Sequence, residues 1–349
     1  MTRYARLFFD TGFMSVSTIN IVGAGAFGTA LAHVWQVARP PAPRHRVRLW
    51  CRDAAQVEAL GTSGLNIRVP DAPPLASVEA RHWDDFEASD PGEILILAVK
   101  ARAQGAVFAR LSPRLHPDCP VITVSKGFAD DDARLLGEAV QPRAGLAVLS
   151  GPSFAADLFH NRPTALTLAH RQPLNAVAEA LSTPRLRLYQ SDDPVGVQVC
   201  GALKNVIAIA CGCADGMGLG ASARSALMTR GLREIERVIV AYGGDVRTAA
   251  GLAGIGDLAL TCQDRQSRNH SFGYQLGQGA AAGALLDQGV TVEGALAAQS
   301  VLGSARTRDL DLPICEAVGQ LVRGDLTPEA LASRLLARGL ERPPATDVG

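Results

Sequence analysis

The sequence has no excess charge of either sign: 34 Lys and Arg stand against 34 Asp and Glu in 349 residues. A neutral chain is not built to track a polyanion. That argues against a dedicated nucleic-acid binder and leaves room for a local basic pocket that holds a small anion. Long apolar runs are also missing. No stretch reaches the ~18 uninterrupted apolar residues of a membrane helix; the nearest, residues 195–214, is broken by Gln198, Lys204 and Asn205. Near the N-terminus, Leu7 to Phe9 is too short for a secretory signal and meets Asp10 at once. The sequence holds no C-x-x-C pair and no H-E-x-x-H, so no structural metal is expected. Cys51, Cys119, Cys200, Cys211, Cys213, Cys262 and Cys315 are scattered and odd in number. They read as small buried side chains in a reducing, cytoplasmic setting. The 35 Gly and 20 Pro stay well below the ~25–30% of low-complexity chains, and 47% of residues are hydrophobic. No internal repeat is present.

The length suits two domains. Residues 1–17 read as a loose extension, with Met14 an alternative start. In residues 18–194 strands and helices alternate. Strands are expected at Ser17–Val22, Val47–Cys51, Ile94–Val99, Val121–Val124, Ala147–Leu149, Thr164–Ala169 and Leu186–Tyr189, with a helix at Thr29–Ala38. The run Ile-Leu-Ile-Leu-Ala-Val is what a strand covered on both faces requires. This pattern implies an α/β fold, a Rossmann-type doubly wound, mostly parallel sheet. Residues 195–340 read as an all-α domain. Val195–Ala214 is a buried helix, Ser222 caps a helix reaching Tyr242, and Thr327-Pro328 opens a last helix closed at Gly339. Residues 341–349, with Pro343-Pro344, form a mobile tail.

Gly23, Gly25 and Gly28 form a G-x-G-x-x-G turn between a strand and a helix. Gly23 permits the turn, Gly25 lets backbone approach a pyrophosphate, and Gly28 lets helix and strand pack closely. Helix N–H groups then face the phosphates. The second strand ends in Arg52-Asp53, 24 and 25 positions after Gly28. Arg52 suits the 2′-phosphate of NADP(H), with Asp53 turned elsewhere; NAD(H) stays open. Lys126 follows one strand and Ser150-Gly151-Pro152-Ser153 another, both at the sheet edge where ligands collect. Lys204 and Asn205 lie mid-helix among small and apolar residues. Desolvation there lowers a lysine pKa and suits it to proton exchange. Asp257 sits at the end of a glycine-rich turn, and Ser267-Arg268-Asn269 offers a hydroxyl, a phosphate-matching guanidinium and an amide. Together these point to hydride transfer on a short phosphorylated substrate.

From about Ser17 to Gly339 the chain resembles bacterial NAD(P)-dependent glycerol-3-phosphate dehydrogenases. The resemblance is carried by GAGAFGTALA at Gly23–Ala32, Ser125-Lys126-Gly127, LSGPSFA at Leu149–Ala155, GALKNVIAIA at Gly201–Ala210, Thr229–Leu232, GLAGIGDL at Gly251–Leu258 and TCQDRQSRN at Thr261–Asn269. It implies interconversion of dihydroxyacetone phosphate and sn-glycerol 3-phosphate, the backbone precursor of phospholipids, by a cytoplasmic homodimer. Lys204 matches the family's proton acceptor. Lys126, Gly151, Ser153, Lys204, Asp257, Ser267, Arg268 and Asn269 match its substrate contacts. Ala26, Phe27, Arg52, Lys126, Ala155, Arg268, Thr291 and Glu293 match its cofactor contacts. Ala26-Phe27 stands where the family usually has Ser-Trp, Val99-Lys100-Ala101 where it has Val-Pro-Ser, and Asp157 where Glu is more common. Two rival readings remain: a β-hydroxyacid or 6-phosphogluconate-type dehydrogenase, and a protein that senses NAD(P)H without turnover. The first keeps the fold but lacks a use for Asp257 with Ser267-Arg268-Asn269; the second makes Lys204 and Asp257 structural.

Overall fold

The computed structural model describes residues 16–37, 45–142, 145–287 and 292–336. The first half runs β1 (Thr18–Val22), α1 (Ala26–Gln36), β2 (Arg46–Cys51), α2 (Ala54–Ser63), β3 (Val78–His82), β4 (Glu93–Leu97), α3 (Gln104–Leu111), β5 (Val121–Thr123), α4 (Leu136–Ala139), β6 (Leu146–Ser150), α5 (Ala155–Phe159), β7 (Thr164–Ala169), α6 (Asn175–Leu181) and β8 (Leu186–Ser191). These strands form one sheet in the order β3-β2-β1-β4-β5-β6-β7-β8. All neighbours pair in parallel except β6 with β7. Strand order reverses between β1 and β4, so the carboxyl ends of β1, β4, β5 and β6 open on one crevice. The sheet's central strands are fully buried and mostly apolar; the buried Asn20 of β1 donates to Glu93 of β4 at 2.8 Å. One face packs against α1, α5 and α6, the other against α3 and Phe86.

Each expected strand is present within one or two residues of its expected ends. One was not foreseen. Val78–His82, Val-Glu-Ala-Arg-His, is a partly buried edge strand with too few apolar residues to show an alternating pattern. It pairs with β2 through its backbone, and Arg46, Arg48 and Arg81 all bond Glu79.

The second half is helical: α7 (Pro194–Gly216), α8 (Gly220–Ala241), α9 (Asp257–Gln263), α10 (Arg268–Gly277), α11 (Ala282–Leu286), α12 (Glu293–Gly303), α13 (Pro313–Arg323) and α14 (Pro328–Leu336). The 23-residue α7 is long and apolar enough to span a membrane, yet its apolar window is wholly buried among the other helices. Asp193 caps it, accepting from Gly196 N at 2.9 Å. Ser222 is not the cap of α8. That helix starts two residues earlier at Gly220, because Gly218 and Gly220 take left-handed φ of +74° and +84° and turn the chain sooner. It ends at Ala241, one residue short of the expected Tyr242, with Gly243 at φ +74° turning the chain away. Thr327 caps α14, accepting from Ala330 N at 3.2 Å. The expected closure at Gly339 and the segments 1–15 and 341–349 lie outside the described residues.

Within the helical half, the contact of α7 with α10 sets Lys204 and Arg268 in register. A Cβ on Gly273 would overlap the carbonyl oxygen of Ile209, and one on Gly212 would overlap that of His270. The two helices therefore meet backbone to backbone, and any side chain there must push them apart. Gly273→Ala is expected to destabilise the protein by about 1–3 kcal/mol, read as a lower urea midpoint at unchanged slope. Gly61→Ala, on exposed α2 with nothing within 4 Å of the added carbon, is the control and should be neutral or stabilising. An unchanged midpoint for Gly273→Ala would contradict the packing argument.

Candidate active site

The site is built on a carboxylate held between two ammonium groups. A glycine-rich π-turn, Leu252–Gly256, delivers Asp257 to the first position of α9, and its side chain is buried. Lys204, in the middle of α7 and 6% exposed, donates to Asp257 Oδ1 at 2.5 Å and to Thr261 Oγ1 at 2.8 Å. Thr261, one turn after Asp257, passes its own proton to the Asp257 carbonyl at 2.6 Å, so its oxygen is free to accept from Lys204. Lys126, just beyond β5, donates to Asp257 Oδ2 at 2.6 Å and to Gly151 O at 3.2 Å. Each ammonium has three protons, and two of each are accounted for. The third on each is left for a ligand.

Electrostatics follow from that arrangement. Burial pushes the Lys204 ammonium down to about 7, and the neighbouring Lys126 charge acts in the same sense; the Asp257 carboxylate opposes both. At an effective dielectric near 20, opposite charges about 4 Å apart attract by about 4 kcal/mol, comparable with the several kcal/mol that burial costs each ion. Burial, helped by the second cation, outweighs the carboxylate and brings the Lys204 ammonium down into the neutral range.

The other expected residues surround this cluster or the crevice. Gly151, at φ +149°, packs against Leu166 on antiparallel β7, and Ser153 follows two residues later. The buried Oγ atoms of Ser150 and Ser153 have no partner among the described residues. Such hydroxyls at the crevice floor are what an incoming oxygen-rich ligand satisfies. Ser267 caps α10, accepting from His270 N at 3.2 Å, and Arg268 is the exposed first residue of that helix. Asn269 is buried and points elsewhere. Its Nδ2 donates to Asn205 Oδ1 and its Oδ1 accepts from Gly294 N, both at 2.9 Å. Glu293, partly buried at the start of α12, has its carboxyl pushed up by burial; Arg268 is the strongest of four cations that oppose this. Thr291 lies outside the described residues.

The glycine turn fits a dinucleotide. Gly23 has φ +112°, and a Cβ there would stand 2.5 Å from Ala98 O; one on Gly28 would overlap Gly23 O. Gly25 differs, because a Cβ there would meet nothing within 4 Å. Open space thus lies against the backbone just before α1, whose first N–H groups, from Ala26 and Phe27, have no side-chain cap. Ala155 opens α5 across the same crevice. At the far end, Arg52 is exposed while Asp53 is engaged: it caps α2, accepting from Ala55 N at 3.0 Å, and takes Arg68 Nε and Nη2 at 3.1 and 2.5 Å. The Arg68 guanidinium holds the Asp53 carboxyl below the usual carboxylate range. Among the described residues no group of three His, Cys, Asp or Glu is arranged to hold a metal, and all seven cysteines are buried and unpaired.

Thr261 and Gly294 were not singled out from the sequence. Thr261 carried a signal, being one helical turn after Asp257; Gly294 carried none, since its contacts come from 25 and 89 residues away.

Comparison with known proteins agrees with this geometry. Residues 18–176 match the family model for the NAD-dependent glycerol-3-phosphate dehydrogenase N-terminus, and residues 193–333 match that for its C-terminus. A glycerol-3-phosphate dehydrogenase [NAD(P)+] of Halorhodospira halophila is 43% identical over 331 residues, 92% of this chain and 97% of that one. One from Cereibacter sphaeroides is 43% identical over 332 residues, 93% and 99% of the two chains. The crystal structure of glycerol-3-phosphate dehydrogenase from Coxiella burnetii superposes with a TM-score of 0.83 at 36% identity, covering 93% of this chain and all of that one. D-mandelate dehydrogenase, at 16% identity and a TM-score of 0.59, shares the fold alone. Matched over both halves, the chain belongs to the NAD-dependent glycerol-3-phosphate dehydrogenase family.

Proposed function

We propose that this protein interconverts dihydroxyacetone phosphate and sn-glycerol 3-phosphate, supplying the latter for glycerophospholipid synthesis in the cytoplasm as a homodimer. The observation that carries the reading is the buried Lys204 ammonium, tied to Asp257 and Thr261 with one proton to spare. The nicotinamide, when bound, supplies or accepts the hydride. Gly23, Gly25, Gly28, Ala26 and Phe27 would hold the dinucleotide's phosphates, and Lys126, Ala155, Arg268 and Glu293 would meet the rest of it. In reduction Lys204 gives its third proton to the carbonyl oxygen as the carbon gains hydride, and is left as the neutral amine. In oxidation the neutral amine takes the hydroxyl proton, so the protons balance in both directions. Asp257 aims Nζ and keeps the ammonium charged long enough to donate. Arg268 receives the substrate phosphate on its planar fork, with Lys126, Gly151, Ser153 and Ser267 completing the clamp. A β-hydroxyacid substrate would leave that clamp unused, and a sensor would need no exchangeable proton on Lys204.

The test is the fall in 340 nm absorbance with NADPH and dihydroxyacetone phosphate. Lys204→Ala should keep cofactor binding and lose about 10²–10⁴-fold in kcat. The pH profile has a defined sign. Reduction needs the ammonium and falls as pH rises through about 7; oxidation needs the amine and rises over the same range. Asp257 favours the charged form, so Asp257→Asn should move both limbs to lower pH. Profiles that do not move, or an unchanged kcat in Lys204→Ala, would remove Lys204 from this role.

For the cofactor we infer a preference for NADP(H), with NAD(H) accepted. Asp53, the carboxylate at the end of β2, is paired with Arg68 and turned into its own helix, which leaves Arg52 as an exposed cation. A 2′-phosphate meets a cation there rather than an anion. Arg52→Asp should lower the NADPH-to-NADH ratio of kcat/KM by at least about tenfold, or about 1.4 kcal/mol. Equal loss with both cofactors would contradict the placement.

A further inference from the structure

The helix that carries Glu293 has no cap of its own. Val292 stands at the N-cap of α12 in extended conformation and has no side-chain oxygen to offer. The N–H of the second helical residue, Gly294, is the one a capping side chain ordinarily takes. Here it goes to Asn269 Oδ1, on α10, at 2.9 Å. Asn269 is turned that way because its Nδ2 is committed at 2.9 Å to Asn205 Oδ1, on α7. Asn205 is fixed in turn by donating its own Nδ2 to Gly201 O at 3.3 Å. Three donors and three acceptors thus run in one direction through three buried residues, Asn205, Asn269 and Gly294. Gly294 must be glycine for the chain to close, since a Cβ there would overlap the backbone oxygen of Asn205.

The residues at its corners are those of the reaction. Asn205 follows Lys204, Asn269 follows Arg268, and Gly294 follows Glu293. We propose that Asn205 is a positioning residue for both ligands. Through Asn269 it caps α12 and so sets Glu293 at the cofactor, and by the same bond it sets Arg268 at the substrate phosphate, both relative to Lys204. Asn269 then acts chiefly as a strut, because its Oδ1 and one of its two Nδ2 protons are held within the protein. The proposal rests on the roles given above to Glu293 and Arg268.

The test uses the whole enzyme and two readouts: the NADPH dissociation constant by cofactor fluorescence, and KM for dihydroxyacetone phosphate at saturating NADPH. Asn205→Ala should raise both by about three- to tenfold. Adding Val292→Thr gives α12 a cap of its own and should restore NADPH affinity while leaving the substrate KM raised. If Asn205→Ala raises only the substrate KM, Asn205 is a local contact and the proposal fails. It also fails if Val292→Thr recovers none of the NADPH affinity. Should Asn205→Ala not fold, Asn269→Ala breaks the same chain at its other bond and must show the same double loss and the same partial rescue. An error in the functional reading is told apart from these outcomes, since it appears as a wild-type enzyme that binds NADPH without oxidising it.

Discussion

The structure is organised around one buried ionic contact, the Asp257 carboxylate shared by Lys204 and Lys126. A single buried ammonium would lose its proton, and a single buried carboxylate would take one up. Held at 2.5 and 2.6 Å from the same carboxylate, the two lysines divide one countercharge between them. Neither is fully neutralised, and the cluster keeps a net positive charge. That surplus serves an anionic substrate, and the incomplete neutralisation lets the more buried lysine give up its proton near pH 7. Weaker burial would leave Lys204 an ordinary surface lysine; a second carboxylate would fix its charge.

The rest of the fold serves to bring these three groups together from distant parts of the chain. The parallel sheet turns the ends of β5 and β6 towards one crevice, which places Lys126 and Gly151 side by side. The long apolar α7 carries Lys204 under that crevice and is buried on every side. A π-turn swings Asp257 into the gap between them. Glycines let α10 lie against α7 with no side chain between, so the Arg268 end of α10 is set by backbone contact rather than by adaptable packing. The site is therefore rigid where it aims the proton and open where the ligands enter.

Much of this was legible in the sequence because its causes are local. A strand buried on both faces must be mostly apolar, and residues 94–97 show it. The G-x-G-x-x-G turn announces itself because each glycine answers a separate steric demand. Lys204 stood out as a charge amid apolar neighbours. The edge strand Val78–His82 did not, since it is held by backbone pairing to β2 and by arginine contacts to Glu79 rather than by an apolar face. The start of α8 was misplaced because two left-handed glycines outweigh a favourable capping serine. Asn269 read as a substrate group, whereas its amide is engaged by Asn205 and Gly294, 64 and 25 residues away. Nothing in a single sequence marks bonds of that span.

The central claim is that Lys204 changes charge near neutrality because burial outweighs its carboxylate partner. Nitrogen-15 NMR of lysine-labelled protein, with the resonance assigned by its loss in a Lys204→Met variant, follows that nitrogen directly. A titration midpoint near 7, as burial beside a second cation implies, is the expected result. A Lys204 nitrogen that stays protonated up to the ordinary lysine range near pH 10.4 would contradict the account.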